Sequence, residues 1–226
     1  MSHRVRVWDL PTRLFHWLLV FFVAGLVITG YTGGNAMQWH ARFGYAVLTL
    51  LLFRTVWGFI GGHWSRFASF LHGPSNLFAY IGGRAHPDHL VGHNPLGAGS
   101  VFAMLLVLLA QVATGLVGDD EIAFTGPLNR FVSSAAGLRA TWYHKQVGQW
   151  LLIGLVVLHV AAIVWYLQRK RQNLVRPMLV GDKELEAPAP SSRDDLRSRM
   201  VALAVLLACA GLVAWVVTIG GTARVD

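Results

Sequence analysis

Charge is scarce in this chain. Of its 226 residues only 13% are Asp, Glu, Lys or Arg, about half the share usual in a soluble domain. A charged, water-facing shell is therefore excluded as the main design, and a mean hydropathy of +0.50 with 54% hydrophobic residues agrees. Cysteine is almost absent as well, Cys209 being the only one. A single thiol excludes an intrachain disulfide, a four-cysteine iron–sulfur cluster, a zinc ribbon and covalent haem attachment through C-x-x-C-H. Ten histidines remain as the supply of ligands for a redox centre. The formal net charge of +8 does not point to nucleic acid, because the basic residues flank apolar spans and leave no soluble domain to form a groove.

What is present is long apolar sequence. Residues 14–41, 89–118, 146–168 and 200–223 contain no Asp, Glu, Lys or Arg, and about 20 apolar residues suffice to cross a bilayer as a helix. Five spans are predicted, over about 14–31, 39–60, 96–117, 144–167 and 200–219. A basic start before an apolar run also suits a signal peptide, but no A-x-A-like site follows and the run is long for an h-region, so the first span is read as a helix. Residues 63–94, rich in Gly, Pro and His, are too polar to cross. Asn94-Pro95 suits a helix start, with Asn as N-cap and Pro in the first turn. Residues 181–199, with Ala187-Pro188-Ala189-Pro190-Ser191-Ser192, read as a flexible linker. The expected organisation is a membrane core over 1–180, a cytoplasmic linker over 181–199 and a fifth helix over 200–219.

Five spans leave the termini on opposite sides. With the N-terminus inside, Arg4, Arg6, Arg13, Arg66, Arg84 and eight basic residues between 169 and 199 are inside, which is most of the 19 in the chain. The positive-inside rule therefore selects a cytoplasmic N-terminus.

Four histidines fall in or at the ends of spans, where an ionisable group is costly and usually faces a bundle interior. On this topology His16 and His159 lie toward the inner side, and His40 and His144 toward the outer. His144 and His159 are separated by roughly 22 Å along an ideal helix and about 60° around it, so one helix offers both to one side at two levels. Gly44 and Gly148, each four residues after a histidine, read as clearance for a flat macrocycle against a helix, with close helix packing as the alternative. Two facing imidazoles on one iron describe a six-coordinate b-type haem suited to electron transfer. The residues alone thus suggest an all-α integral membrane protein holding two haems b, with pairs His16/His159 and His40/His144.

Specific motifs accompany these positions. Asp9-Leu10-Pro11-Thr12-Arg13-Leu14-Phe15-His16-Trp17, His40-Ala41-Arg42-Phe43-Gly44-Tyr45 with Arg54, Gly92-His93-Asn94-Pro95-Leu96-Gly97, Trp142-Tyr143-His144 and Asn173-Leu174-Val175-Arg176-Pro177-Met178-Leu179 resemble the bacterial cytochrome b561 and nickel-iron hydrogenase b-type cytochrome family over about residues 9–180. The resemblance implies a four-helix dihaem bundle in the bacterial inner membrane that exchanges electrons with quinone, often as the membrane subunit of a dehydrogenase. It implies the same four axial ligands. The ligand spacing of 15 in the fourth span is one more than in other branches, and the fifth helix lies outside the shared core.

Other residues carry two readings each. Arg54 suits a haem propionate or a quinone oxygen, or snorkels to the headgroups; Arg13, Arg42, Arg139 and Lys145 are further propionate anchors. His63, His72, His86, His89 and His93 read as loop histidines, with a loop metal site as the alternative. Asp119, Asp120 and Glu121 read as a solvated helix end or a lure for a basic partner. Trp8, Trp39, Trp142 and Trp165 read as an interfacial belt, while Trp17 and Trp150 are placed to border a haem.

The expected function is electron transfer through two bis-histidine haems between a periplasmic-side redox protein, a hydrogenase or a cytochrome c, and the quinone pool. The expected surroundings are lipid, with a second copy of the chain as a further candidate partner. One alternative is a quinone-linked superoxide oxidase or ferric reductase, with Arg42, Arg139 and Lys145 steering an anion. Another is a histidine-lined metal transporter.

Overall fold

The computed structural model describes residues 2–84, 89, 91–122, 124–220 and 224–225. In chain order the elements are β1 (His3–Arg6), α1 (Leu10–Thr32), α2 (Ala36–Ile60), α3 (Pro74–Ile81), α4 (Pro95–Val117), β2 (Phe124–Thr125), α5 (Ser134–Tyr143), a π-helical turn (His144–Gly148), α6 (Gln149–Arg169), α7 (Val175–Val180), β3 (Asp182–Leu185), α8 (Leu196–Gly220) and β4 (Arg224–Val225). Five helical stretches are long and apolar enough to cross a membrane: Leu10–Thr32, Ala36–Ile60, Pro95–Val117, Ser134–Arg169 and Leu196–Gly220. Phe21, Ile28, Leu106, Leu158 and Leu207 stand exposed on them, which water would penalise and lipid chains would not.

Local chemistry sets the helix starts. Asn94 Oδ1 accepts from Gly97 N at 2.8 Å with Pro95 opening α4, Ser133 caps α5, and Asp195 Oδ1 accepts from Ser198 N at 2.7 Å at the head of α8. The reversal between α1 and α2 uses Gly33 and Gly34 at φ +65° and +53°, a left-handed geometry that side chains resist.

The chain forms two compact units, each taking segments of the same five helices. The first comprises Met1–Phe15, Arg54–Met104 and Leu155–Leu203. Its core is Val5, Val7, Trp8, Trp64 and Val91, with Met178, Leu185 and Ala189 packed on it. Trp8 is therefore a core residue and not part of an interfacial belt. β1 and β3 pair antiparallel from His3↔Leu185 to Arg6↔Asp182. Asp9 is fully buried: Oδ1 accepts from Thr12 N (2.8 Å) and Trp57 Nε1 (3.2 Å), and Oδ2 from Gly62 N (3.1 Å) and Ser65 Oγ (2.7 Å).

Residues 181–199 are not a loose tether. Beyond β3, Ser192 N donates to Arg6 O (2.7 Å), Ser192 Oγ donates to Val7 O (2.7 Å) and accepts from Trp64 N (3.1 Å), and Trp64 Nε1 donates to Pro190 O (2.7 Å). Pro and Ser composition signals a loop, but tertiary hydrogen bonds order this one. The fifth helix accordingly begins at Leu196, since Arg197 and Arg199 are helical although polar.

Asp194 accepts from Leu10 N (3.1 Å), Arg6 Nη1 (2.8 Å) and Arg199 Nε (3.0 Å). Burial opposes its ionisation, but the Arg199 and Leu10 hydrogen bonds and the two guanidinium charges outweigh this and hold the carboxyl below its ordinary value. Its stabilising share is thus complete above the usual carboxylate value of about 4 and is lost as pH falls through the lowered folded value. Asp194→Asn is expected to cost about 1 kcal/mol at neutral pH. In melts of detergent-solubilised protein, its difference from the parent should shrink as the buffer is acidified below about pH 4.

The second unit comprises His16–Phe53, Leu105–Gly154 and Ala204–Asp226. Its core is Val47, Leu51, Leu108, Val112 and Leu152, with Leu19, Phe22 and Leu26 among the residues packed on it. Cys209 is buried in α8.

Candidate functional site

His40 lies in the second turn of α2 and His144 opens the π turn. Their ring centroids are 6.0 Å apart with planes at 71°. Each ring is held at Nδ1 by a backbone carbonyl of another helix, His40 by Leu26 O on α1 at 3.0 Å and His144 by Gln111 O on α4 at 2.9 Å. A carbonyl only accepts, so Nδ1 carries the proton in both rings and Nε2 keeps its lone pair. Two imidazoles thus approach one another, each with Nε2 as its electron-pair donor. Among the described residues no group of three or more His, Cys, Asp or Glu is gathered as a metal cage.

The π turn makes room for one extra residue where His144 sits. An offset of about 60° between His144 and His159 requires α geometry throughout and does not hold across this turn.

The other predicted pair is divided between the units. His16 is in the second, half-buried, with its ring 5.1 Å from that of Trp17; His159 is in the first, half-buried on α6. A Cβ added at Gly44 would meet nothing within 4 Å, whereas one at Gly148 would collide with the Gln111 side chain. Arg54 is 4% exposed, with its guanidinium 4.6 Å over the Phe67 ring and 5.9 Å from the Phe70 ring. Its Nη1 has no hydrogen-bond partner among the described residues. The charge of Asp9 acts on it, but a buried guanidinium does not snorkel.

Most loop histidines serve packing in the first unit. His93 lies between Trp8 (4.8 Å) and Phe70 (4.6 Å), and His89 packs against His72 (4.8 Å) and Tyr80 (5.8 Å). His63 packs on Trp64, and His86 lies outside the described residues. Asn94 also donates to the Tyr166 hydroxyl at 2.8 Å, which is 2.7 Å from that of Tyr80. Asp119 and Asp120 shape their own loop, accepting from Glu121 N and from Ile122 N and Phe124 N. Lys145 Nζ lies 3.6 Å from Asp120, and Arg42 stacks 4.9 Å over Trp39. Two of the three cations expected to steer an anion therefore have internal partners. Trp17 and Trp150 are exposed.

Spacing arguments missed Thr29, Gly30, Thr114 and Gly115. Thr29 Oγ1 lies 3.4 Å from His40 Nδ1 and Thr114 Oγ1 3.3 Å from His144 Nδ1. A Cβ at Gly30 would stand 3.2 Å from His40 Cε1, and one at Gly115 3.4 Å from His144 Cε1. The available signal was a Thr-Gly dipeptide near the end of both the first and third spans.

Five apolar helices and a pair of neighbouring, carbonyl-anchored imidazoles define a multi-pass membrane protein with a candidate cofactor site among its helices. The chain belongs to the prokaryotic cytochrome b561 family, whose profile matches residues 7–181. It is 25% identical over 217 residues to a probable Ni/Fe-hydrogenase B-type cytochrome subunit of Bradyrhizobium diazoefficiens, covering 80% of this chain and 86% of that one. The like-named protein of Azotobacter vinelandii is 28% identical over 211 residues, with 78% and 87% covered. A probable Ni/Fe-hydrogenase 1 B-type cytochrome subunit of Escherichia coli K12 is 24% identical over 190 residues, with 68% and 80% covered. No solved structure matches. The protein is thus a bacterial inner-membrane cytochrome that transfers electrons through b-type haem.

Proposed function

We propose that the chain holds two haems b, one between His40 and His144 and one between His16 and His159, and relays electrons between a periplasmic-side redox protein and quinone. The 6.0 Å approach of the His40 and His144 rings carries the reading. A metal–imidazole bond is about 2 Å long, and the ring adds about 1 Å on each side, so two imidazoles ligating one ion from opposite faces have centroids about 6 Å apart. With no group of three or more His, Cys, Asp or Glu gathered among the described residues, the other coordination positions call for a macrocycle; a tetrahedral transported ion would need further side chains. Haem held by His40 and His144 would supply a one-electron iron couple suited to electron transfer and not to oxygen binding.

The chain's own residues orient this couple. The carbonyls of Leu26 and Gln111 hold the ring tautomers, and the open space at Gly44 suits a flat ring against α2. Arg54, buried with an Nη1 that has no partner among the described residues, suits a carboxylate such as a propionate. The pairing of His16 with His159 rests on their matched depth in the N-inside topology. The names of the relatives favour a hydrogenase as the partner over a cytochrome c.

Purified full-length protein should give a reducible b-type spectrum and two haems per chain by pyridine haemochrome. One haem or none, or a stoichiometric zinc or copper content in its place, would refute the dihaem reading. In membranes that also hold the cognate hydrogenase, hydrogen should reduce the haem, and added oxidised quinone should reoxidise it. Failure of either step would remove that partner.

A further inference from the structure

The two outer imidazoles are mounted in the same way on two different helices. On α1 the seat is Leu26 O, Thr29 and Gly30; on α4 it is Gln111 O, Thr114 and Gly115. In each, the carbonyl, the threonine three residues on and the glycine four residues on meet one histidine of the next long helical stretch. The Thr29 hydroxyl has one proton, and its 2.6 Å contact to Gly25 O takes it. Thr114 likewise donates to Ala110 O at 2.7 Å. Both hydroxyl oxygens are then left with lone pairs near Nδ1–H, at 3.4 and 3.3 Å, beside the shorter carbonyl contacts of 3.0 and 2.9 Å. Each Nδ1–H is shared between two acceptors. The glycines let the rings approach, since a Cβ at Gly30 would also press on His40 Nδ1 at 3.3 Å.

Threonines in membrane helices commonly bond back to the carbonyl four residues earlier, which accounts for the donated proton. It does not account for an imidazole at the same offset in both helices.

We infer that Thr29 and Thr114 are matched positioning residues that set the electron-donating strength of the two axial imidazoles of one haem, tuning its potential from both faces. The inference rests on the proposed ligation by His40 and His144. An acceptor at Nδ1–H raises the basicity of the ligand and so favours oxidised iron; removing it favours reduced iron.

The test is an optical redox titration of the haem-loaded full chain and of Thr29→Val, Thr114→Val, the double variant, and Thr29→Ser and Thr114→Ser. Valine keeps the shape and removes the oxygen; serine keeps the oxygen. Each valine is expected to raise the midpoint of the same haem, by up to about tenfold in the reduced-to-oxidised ratio at fixed potential, which is 59 mV for one electron. The double variant should add the two shifts, serine should restore the parent value, and the other haem should not move. Haem lost with valine and kept with serine also supports the inference. Unchanged midpoints, shifts divided between two haems, or shifts that serine does not reverse would overturn it while leaving the dihaem reading intact. If His40→Ala and His144→Ala deplete different haems, the ligation itself is wrong and the inference goes with it.

Discussion

Replacing His144 with alanine is expected to remove one haem per chain and leave the other in place. The bond lost would be the one proposed from the π turn, and among the described residues no group of three or more His, Cys, Asp or Glu is gathered to replace it. Alanine also leaves the Gln111 carbonyl and the Thr114 hydroxyl without the imidazole that they face. His40, anchored to Leu26 O, would remain as a single ligand, too little to retain a non-covalent macrocycle through purification. The pyridine-haemochrome count should fall by about half. His40→Ala should leave the same residual spectrum, because both substitutions empty one site. His16→Ala and His159→Ala should each leave the complementary spectrum. A His144→Ala protein that keeps two haems would end the assignment.

The second large effect is expected at Asp9, which is not itself a proposed iron ligand. Its carboxylate is wholly buried and accepts from Thr12 N, Trp57 Nε1, Gly62 N and Ser65 Oγ. One side chain thereby caps α1, joins it to the end of α2 and closes the following turn. Asp9→Ala would leave these donors buried without an acceptor. Each such loss costs about 1–3 kcal/mol and the losses are not additive, so about 4–6 kcal/mol is expected, a large part of the stability of an ordinary domain. In detergent, the midpoint of thermal unfolding should fall by about 10–20 °C. Asp9→Asn should be milder, because its amide oxygen can still accept from Thr12 N and Trp57 Nε1, but its NH2 would face the Gly62 N–H donor. A melt unchanged by Asp9→Ala would mean that the first unit is not held this way.

These two positions differ in how they could be read beforehand. His144 stood out because an imidazole in an apolar span needs a reason. Asp9 was visible only as part of the Asp-Leu-Pro-Thr-Arg motif, and its role depends on Trp57, Gly62 and Ser65, remote in sequence. The Gly-His-Asn-Pro motif behaves similarly: Asn94 was legible as a cap, whereas the seat of His93 between Trp8 and Phe70 was not. Trp8 misled because tryptophan at a span end usually marks the interface, and here it packs in a core with Val5, Val7, Trp64 and Val91. The segment 181–199 misled because composition reports backbone propensity and is silent about the acceptors at Arg6 and Val7 that order Ser192.

The sequence by itself determined the solvent, the number of spans, the N-inside topology proposed for them and the four histidines worth weighing. Each follows from a local cost: a charge or an unpaired backbone group in hydrocarbon is expensive wherever it falls in the chain. Only the tertiary structure decided that Leu26 and Gln111 hold the imidazoles of His40 and His144 by Nδ1, that Thr29 and Thr114 stand beside them, and that a π turn carries His144. Those contacts join separate helices, and hydrogen-bond geometry between helices depends on packing and phase that no single span contains.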